Sequence, residues 1–204
     1  MSPAHVTPTS ARRIVVVGAG MVAHRFVESL LARREVPWRI TVIGEERRGP
    51  YDRVGLTSYF GGRTPDDLAL DPAPFEDPRV TLVTGDRATF IDRSGRMVWT
   101  QSRASYAYDA LVLATGSYAA RPAIEGARLA GCFVYRTIED LQGIESFVRE
   151  RSDALGRPLR GTVVGGGLLG LEAAGALQGL DVDCTVIHSG THLLSSQIDR
   201  AGGE

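Results

Sequence analysis

Lysine is absent: all 23 basic residues of this 204-residue chain are arginine. Spread over a whole sequence, that reflects a GC-rich coding bias better than guanidinium chemistry at every site, so it excludes nothing by itself. Cysteine is almost missing. Cys132 and Cys184 lie far apart, which leaves no C-x-x-C pair, no zinc-ligand spacing and no four-thiolate set for an iron–sulfur cluster. Two ordinary buried thiols in a reducing cytoplasm are expected. Net charge of either sign is missing too: a formal value of -1 and a pI near 6.4 provide no basic field to hold nucleic acid or an anionic membrane. No apolar run reaches the length of a membrane span or a signal-peptide core. Arg12-Arg13 ahead of Ile14-Val15-Val16-Val17 has the look of a twin-arginine export signal, but the run ends at once in Gly18-Ala19-Gly20. A buried parallel strand entering a turn explains that better. A cytoplasmic protein with neither nucleic acid nor membrane as partner is the expectation; oligomeric state does not follow from composition.

What is present is a hydrophobic fraction of 43%, enough for a core in one domain or two small ones. After a loose tail over residues 1–12, Ile14 to Val17 reads as a strand, followed by a glycine turn and the helical spacing Val22, Phe26, Leu30. Pro37 and a short polar link close that stretch, and Arg39 to Ile43 supplies a second strand, completing a βαβ unit. Gly49 to Gly62 is loop-like. Val80 to Val83, Ala88 to Ile91 and Met97 to Thr100 are expected to form a small antiparallel meander, and Ala110 to Ala114 returns as a buried strand. Ile138 to Val148 is helical. Gly161 to Val164, a glycine turn, the helix of Leu171, Ala174 and Leu177, and Asp183 to His188 then repeat the βαβ pattern, followed by the polar run Ser189 to Glu204.

The fold class expected is therefore α/β, with two Rossmann-like three-layer nucleotide-binding modules, the second incomplete because two strands and one helix make a thin sheet. In residues, 13–124 form the first domain, 125–158 a connecting segment and 159–204 the start of the second.

Two motifs carry chemistry. Gly18-Ala19-Gly20-Met21-Val22-Ala23 fits G-x-G-x-x-G/A, directly after a strand and opening a helix. A diphosphate suits that place, because a Cβ would obstruct the turn or the approach of the phosphates and the helix start presents unpaired amides with a positive dipole end. Ala23 still permits close helix–strand packing. An ordinary tight βα turn without ligand is the plain alternative. Glu45, just past the second strand, is placed to accept from adenosine ribose hydroxyls, with Glu46 as its competitor. Gly165, Gly167 and Gly170 form a second fingerprint in the same context, so two dinucleotides are implied. At the end of its partner strand stands His188, where an NAD site has an acid and an NADP site a neutral residue with arginines nearby. Weakened NAD preference, tolerance of NADP, no productive binding, or a plain solvent-facing histidine are all compatible with it.

Five stretches stand out: Tyr51-Asp52-Arg53-Val54, Ser58-Tyr59-Phe60, Ala114-Thr115-Gly116-Ser117-Tyr118, Phe133 to Asp140 and Gly165 to Glu172, of which Tyr-Arg-Thr-Ile-Glu-Asp and the run opening at Gly165 are more specific than a bare glycine fingerprint. Through them, from about Ile14 to Glu204, the chain resembles the flavoprotein N-terminal region of the large subunit of assimilatory NAD(P)H nitrite reductase, related to ferredoxin and rubredoxin reductases of the pyridine nucleotide-disulphide oxidoreductase type. The resemblance implies FAD held at its diphosphate by Gly18, Gly20 and Ala23, at its ribose by Glu45, on the flavin side by Arg53 and at adenine by the backbone of Ala88. It further implies that Ala114, Thr115 and Gly116 close over FAD, that Arg136 adds positive charge near its phosphates, and that Glu172 faces the contact between flavin and nicotinamide. NADH or NADPH would be the hydride donor, with electrons passing to an acceptor protein or to C-terminal reductase domains. Gly55, where relatives carry a bulkier residue, and His188 depart from the pattern. Relatives continue into the rest of the nicotinamide domain and a returning Gly-Asp, and on that ground the chain is expected to be a reductase module without its siroheme and iron–sulfur part. The rival expectation is a truncated, non-catalytic flavin-binding or interaction protein. No side-chain nucleophile or acid–base pair is demanded.

Overall fold

The computed structural model describes residues 11–33 and 37–203. Residues 1–10 of the expected tail, and the part of the polar link at 34–36, lie outside them, while Arg12 already belongs to the first strand. The chain divides into two compact units, Met1–Asp52 with Ala69–Ser117 and Arg53–Leu68 with Tyr118–Glu204.

In the first unit, β1 (Arg12–Val17), α1 (Met21–Leu31) and β2 (Trp38–Ile43) form the expected βαβ unit, the strands pairing in parallel from Arg12 with Trp38 to Val17 with Ile43. A one-turn helix α2 (Ala73–Glu76) leads to β3 (Val80–Val83), and β4 (Ala88–Asp92), β5 (Met97–Thr100), β6 (Ser105–Ala107) and β7 (Ala110–Leu113) follow. The parallel sheet runs β3-β2-β1-β7, and β4-β5-β6 is antiparallel. The meander is thus real but composed differently from the expectation: Val80–Val83 joins the parallel sheet beside β2, and the third meander strand is Ser105–Ala107. A four-residue apolar run declares that it is buried, not which strand it pairs with.

The continuous Ile-Val-Val-Val of β1 is explained by burial on both faces. Ile14 and Val16 pack with Ala23 and Val27 of α1, and Phe75 of α2 adds to that layer. Val15 and Val17 pack on the other side with Val98 and Tyr108, against Ala88, Ile91 and Tyr106 of the meander. Each such aliphatic side chain contributes roughly 1.5–3 kcal/mol when fully buried, so the middle of this sheet is where the unit's stability concentrates.

In the second unit, the segment expected as plain loop contains a 3-10 helix over Val54–Gly61. It is followed by α3 (Ile138–Leu155), β8 (Arg160–Val164), α4 (Leu168–Gly179), β9 (Asp183–Ile187) and the short α5 (Arg200–Gly203). α3 outruns the expected Ile138–Val148 because a polar stretch continues its turns until Gly156, whose φ of +61° ends it. Its buried Ile138, Leu141, Ile144 and Val148 face one way, and the last two pack with Val182, Leu159, Leu177 and Leu180. β8 and β9 pair in parallel from Arg160 with Asp183 to Val164 with Ile187, as a sheet of two strands. Among the described residues no helix is long and apolar enough to cross a membrane. The thiols differ from the expectation of two buried cysteines: Cys132, in a loop, is exposed, and Cys184, on the thin β8–β9 sheet, is only half-buried.

Candidate functional site

The strand order of the first unit fixes where a ligand can sit. From β1 the chain passes to β2 and β3 on one side, whereas β7 lies on the other, so the connections diverge at the carboxyl ends of β1 and β7. Gly18-Ala19-Gly20 and Ala114-Thr115-Gly116 leave those two strand ends. Gly18 donates its N–H to the carbonyl of Ile43, and Ala114 donates to the carbonyl of Val17, both at 2.8 Å.

The glycines of this loop serve different needs. Gly18 has φ of +108°, and a Cβ there would run into the carbonyl of Ala114. Gly20 has φ of -96°, open to any residue, and a Cβ there would meet nothing within 4 Å. It is also the N-cap of α1, with no side chain capping the helix, so the first-turn amides are left to a ligand or solvent. A diphosphate fits this arrangement: backbone donors, a helix dipole and clear space above Gly20. Ala23 is fully buried against β1 and β2, the close packing its small side chain permits. Gly44 also matters, since a Cβ on it would stand 2.6 Å from the Cβ of Ala19.

Glu45 leaves the end of β2 with its side chain 50% exposed and Arg87 Nη1 at 3.8 Å. Glu46 accepts from the hydroxyl of Tyr51 at 2.7 Å. Both carboxylates thus have protein partners, Glu45 near Arg87 and Glu46 at Tyr51. Ala88 starts β4, an edge strand of the meander, where the register against β5 shifts between Ala88 and Phe90. Backbone groups on the outer side of an edge strand are open to a ligand. Gly116 takes φ of +67°, which turns the chain away after β7.

The second unit brings Arg53 and Arg136 together in an unexpected way: Arg53 Nη1 donates to the backbone carbonyl of Arg136 at 3.0 Å. The next residue, Thr137, accepts from the N–H of Asp140 at 3.1 Å, while the Asp140 carboxylate accepts from the N–H of Thr137 at 2.9 Å. Part of the family-like Tyr-Arg-Thr-Ile-Glu-Asp motif is thus a helix cap. The sequence reading passed over Tyr135, whose ring stacks on Phe60 with centroids 6.4 Å apart. Burial is the main cause pushing its phenol above the usual range, and the negative charge of Glu172 on α4 adds to it. A large aromatic ahead of a charged motif was the available signal.

Gly165 has φ of +121°, Gly167 is the N-cap of α4 without a side-chain cap, and a Cβ on Gly170 would run into the carbonyl of Gly165. No atom lies within 4 Å of a Cβ placed on Gly165 or Gly167. His188 is not a plain solvent-facing residue. Its Nδ1 accepts from the N–H of Gly166 at 3.2 Å, and its ring lies so close that a Cβ on Gly166 would stand 2.9 Å from Cγ.

A parallel sheet with a glycine turn and an uncapped helix start at its switch point is the α/β architecture typical of FAD- and NAD(P)-binding oxidoreductases. The chain belongs to the pyridine nucleotide-disulphide oxidoreductase family, which it matches over residues 12–203. It is 45% identical over 194 residues to the large subunit of nitrite reductase (NADH) of Escherichia coli (strain K12), covering 94% of this chain and 22% of that protein. To the large subunit of nitrite reductase [NAD(P)H] of Klebsiella oxytoca it is 42% identical, covering 93% of this chain and 19% of the relative. Among solved structures, the ferredoxin reductase for the CYP199A2 system from Rhodopseudomonas palustris superposes with a TM-score of 0.80 at 26% identity, covering 94% of this chain and 46% of that one. The chain spans about a fifth of the length of these curated relatives.

Proposed function

We propose that the chain is the FAD-binding and nucleotide-receiving part of an NAD(P)H-dependent flavoprotein oxidoreductase. Bound flavin supplies the chemistry, accepting a hydride from NADH or NADPH and releasing electrons to an acceptor. The first glycine loop holds the FAD diphosphate on the free amides at the start of α1, with Ala23 allowing the helix to sit close. Glu45 accepts from the ribose, the outer backbone edge at Ala88 meets adenine, and Ala114, Thr115 and Gly116 line the far side of the crevice. By the resemblance to flavoprotein reductases, Arg53 and Arg136 are the residues assigned to the charge of the cofactor and Glu172 the residue assigned to the nicotinamide. Gly165, Gly167 and Gly170 receive the second dinucleotide.

In this reading 13–124 is the FAD-binding part, 125–158 a connector and 159–204 the beginning of the nicotinamide part, an incomplete second module of three-layer type. The acceptor is an electron-carrier protein or further reductase domains, and nitrite reduction within nitrate assimilation in the cytoplasm is the setting that the likeness to nitrite reductases favours. The observation that carries the proposal is the open space over Gly20 at an uncapped helix start. Purified protein is expected to be yellow, and its visible flavin band to bleach when NADH or NADPH is added under anaerobic conditions. Bound flavin that never bleaches would instead favour a non-catalytic flavin-binding protein, and a colourless chain that takes up no FAD would remove both.

A further inference from the structure

Among the described residues, Asp86 is the only charged side chain that is buried: 8% of it is exposed, in the link between β3 and β4. A buried carboxylate is costly unless its oxygens are satisfied, and here both are. Oδ1 accepts from the N–H of Ser102 at 3.1 Å, and Oδ2 accepts from the Ser102 hydroxyl at 2.6 Å. Ser102 lies in the turn between β5 and β6, with the hydroxyl oxygen of the buried Thr100 3.1 Å from its own. These contacts, the Ser102 hydroxyl foremost, hold the Asp86 carboxyl below the usual carboxylate range.

The backbone at Asp86 binds elsewhere. Asp86 donates its N–H to the carbonyl of Gly44 at 3.0 Å, and Gly85 donates to the carbonyl of Glu46 at 2.8 Å. Those two carbonyls flank Glu45, so the turn that carries Glu45 is pinned on both sides by residues 85 and 86. The ladder between β2 and β3 ends at Ile43 and Val83, and these bonds extend the hold beyond it. Arg87 completes the arrangement, its carbonyl accepting from the N–H of Gln101 at 2.8 Å. The turn held in this way lies at the first glycine loop, where a Cβ on Gly44 would stand 2.6 Å from that of Ala19. One residue thus links the turn after β2, through its backbone, to the turn between β5 and β6, through its side chain.

We infer that Asp86 is a positioning residue of the cofactor site: anchored on Ser102, it holds the turn after β2 so that the Glu45 carboxylate can accept from the adenosine ribose of FAD. This rests on the flavin-binding reading proposed above. Asp86 is buried and acts through Glu45. Alanine at this position keeps the backbone bond to Gly44 but releases the side-chain anchor, leaving both Ser102 donors to find other partners. The link then loosens, and Glu45 with it. A hydrogen bond to a charged acceptor is worth about tenfold in affinity, which sets the size of the loss expected when its acceptor is no longer held in place.

The test is titration with FAD, read by quenching of flavin fluorescence, of the whole chain carrying Asp86→Ala, Glu45→Ala or both. Each single change should weaken FAD binding about tenfold. The double variant should bind about as weakly as Glu45→Ala alone, because Asp86 acts through Glu45, whereas independent effects would multiply to about a hundredfold. Asp86→Asn, which keeps an acceptor for the Ser102 N–H, should recover most of the affinity. Ser102→Ala removes only the hydroxyl end of the anchor and should cost about threefold, taking the place of Asp86→Ala in the same cycle if that chain does not fold. A folded Asp86→Ala or Ser102→Ala chain with unchanged FAD affinity, even if it unfolds at lower urea, would overturn the inference and leave Asp86 a residue of the fold alone. So would losses that multiply, a Glu45→Ala chain that binds FAD as wild type does, or an asparagine variant as weak as the alanine one. Each of these leaves the flavin-binding reading standing; a wild-type chain that takes up no FAD overturns that reading, and the inference with it.

Discussion

One carbon atom separates the two glycines of the first loop. At Gly18 a Cβ is opposed from inside the protein, by the carbonyl of Ala114 and by a φ of +108°, so even alanine must distort the fold. The backbone conformation alone costs about 1–3 kcal/mol for a non-glycine residue, before the collision is counted. At Gly20 the opposition comes from outside: backbone and surroundings accept a side chain, and only a ligand would be displaced. Gly20→Val is therefore expected to cost no more than about 1 kcal/mol in urea unfolding, the scale of a poor residue at the N-cap of α1, while FAD affinity, read by quenching of flavin fluorescence, falls at least tenfold. Gly18→Ala should lose both stability and flavin. If Gly20→Val binds FAD as wild type does, the diphosphate does not lie on this loop. Residue types and spacing made the loop legible in the sequence, but not this division of labour, which depends on Ala114 nearly a hundred positions away. His188 shows the same limit: its chemical oddity was visible, its bond to Gly166 was not. Nor was it visible that Glu45 lies near Arg87 while Glu46 accepts from the Tyr51 hydroxyl.

Elements show a parallel contrast. β1 was readable in advance because burial on both faces demands an unbroken apolar run, and its four residues from Ile14 to Val17 are all buried. Ser105–Ala107 was not, since a three-residue edge strand carries too little pattern to stand out. α3 shows in its apolar spacing, but its start signal is atypical: the capping box has aspartate at the third helical position, where glutamate or glutamine is the usual sign. Thr137→Ala should consequently cost about 1 kcal/mol in thermal or chemical unfolding of the second unit. An unchanged unfolding curve would mean that the cap adds nothing beyond the tertiary packing of Ile138 and Leu141. β8 and β9 repeat the fingerprint of β1 and β2 without its burial, for Val164 is 62% exposed and Ile187 55%. Local opening tracks the apolar contacts that closing restores. Amide hydrogens of β8 and β9 should therefore exchange faster than those of β1 and β2, and limited proteolysis should cut first beyond Gly161. Equal protection of the two strand pairs would contradict this.

For the molecule as a whole, the response to acid follows from its carboxylates. Asp109 accepts from Arg13 through the backbone N–H at 2.8 Å and through Nη2 at 2.9 Å, and these bonds, the side-chain one foremost, hold its carboxyl down at about 2. Asp77 is likewise held at about 2, chiefly by the Arg79 side chain. The two are not equivalent. Asp77 and Arg79 are two positions apart and can meet in the unfolded chain as well, which shrinks the difference between states that makes stability depend on pH. Asp109 and Arg13 are 96 positions apart and meet only in the folded protein, where they tie the start of β1 to the turn before β7. Because the folded value lies below the ordinary 3.8, the unfolded chain binds more protons between these limits. The stabilisation is fully present above about 3.8 and is lost as pH falls toward about 2. Asp109→Asn should be less stable than wild type at neutral pH, and its stability should fall less steeply with acid, so that the two curves converge below about 3.8. Urea unfolding of both proteins across that range decides the matter: parallel curves would show that this pair, however well formed, contributes nothing to the acid response.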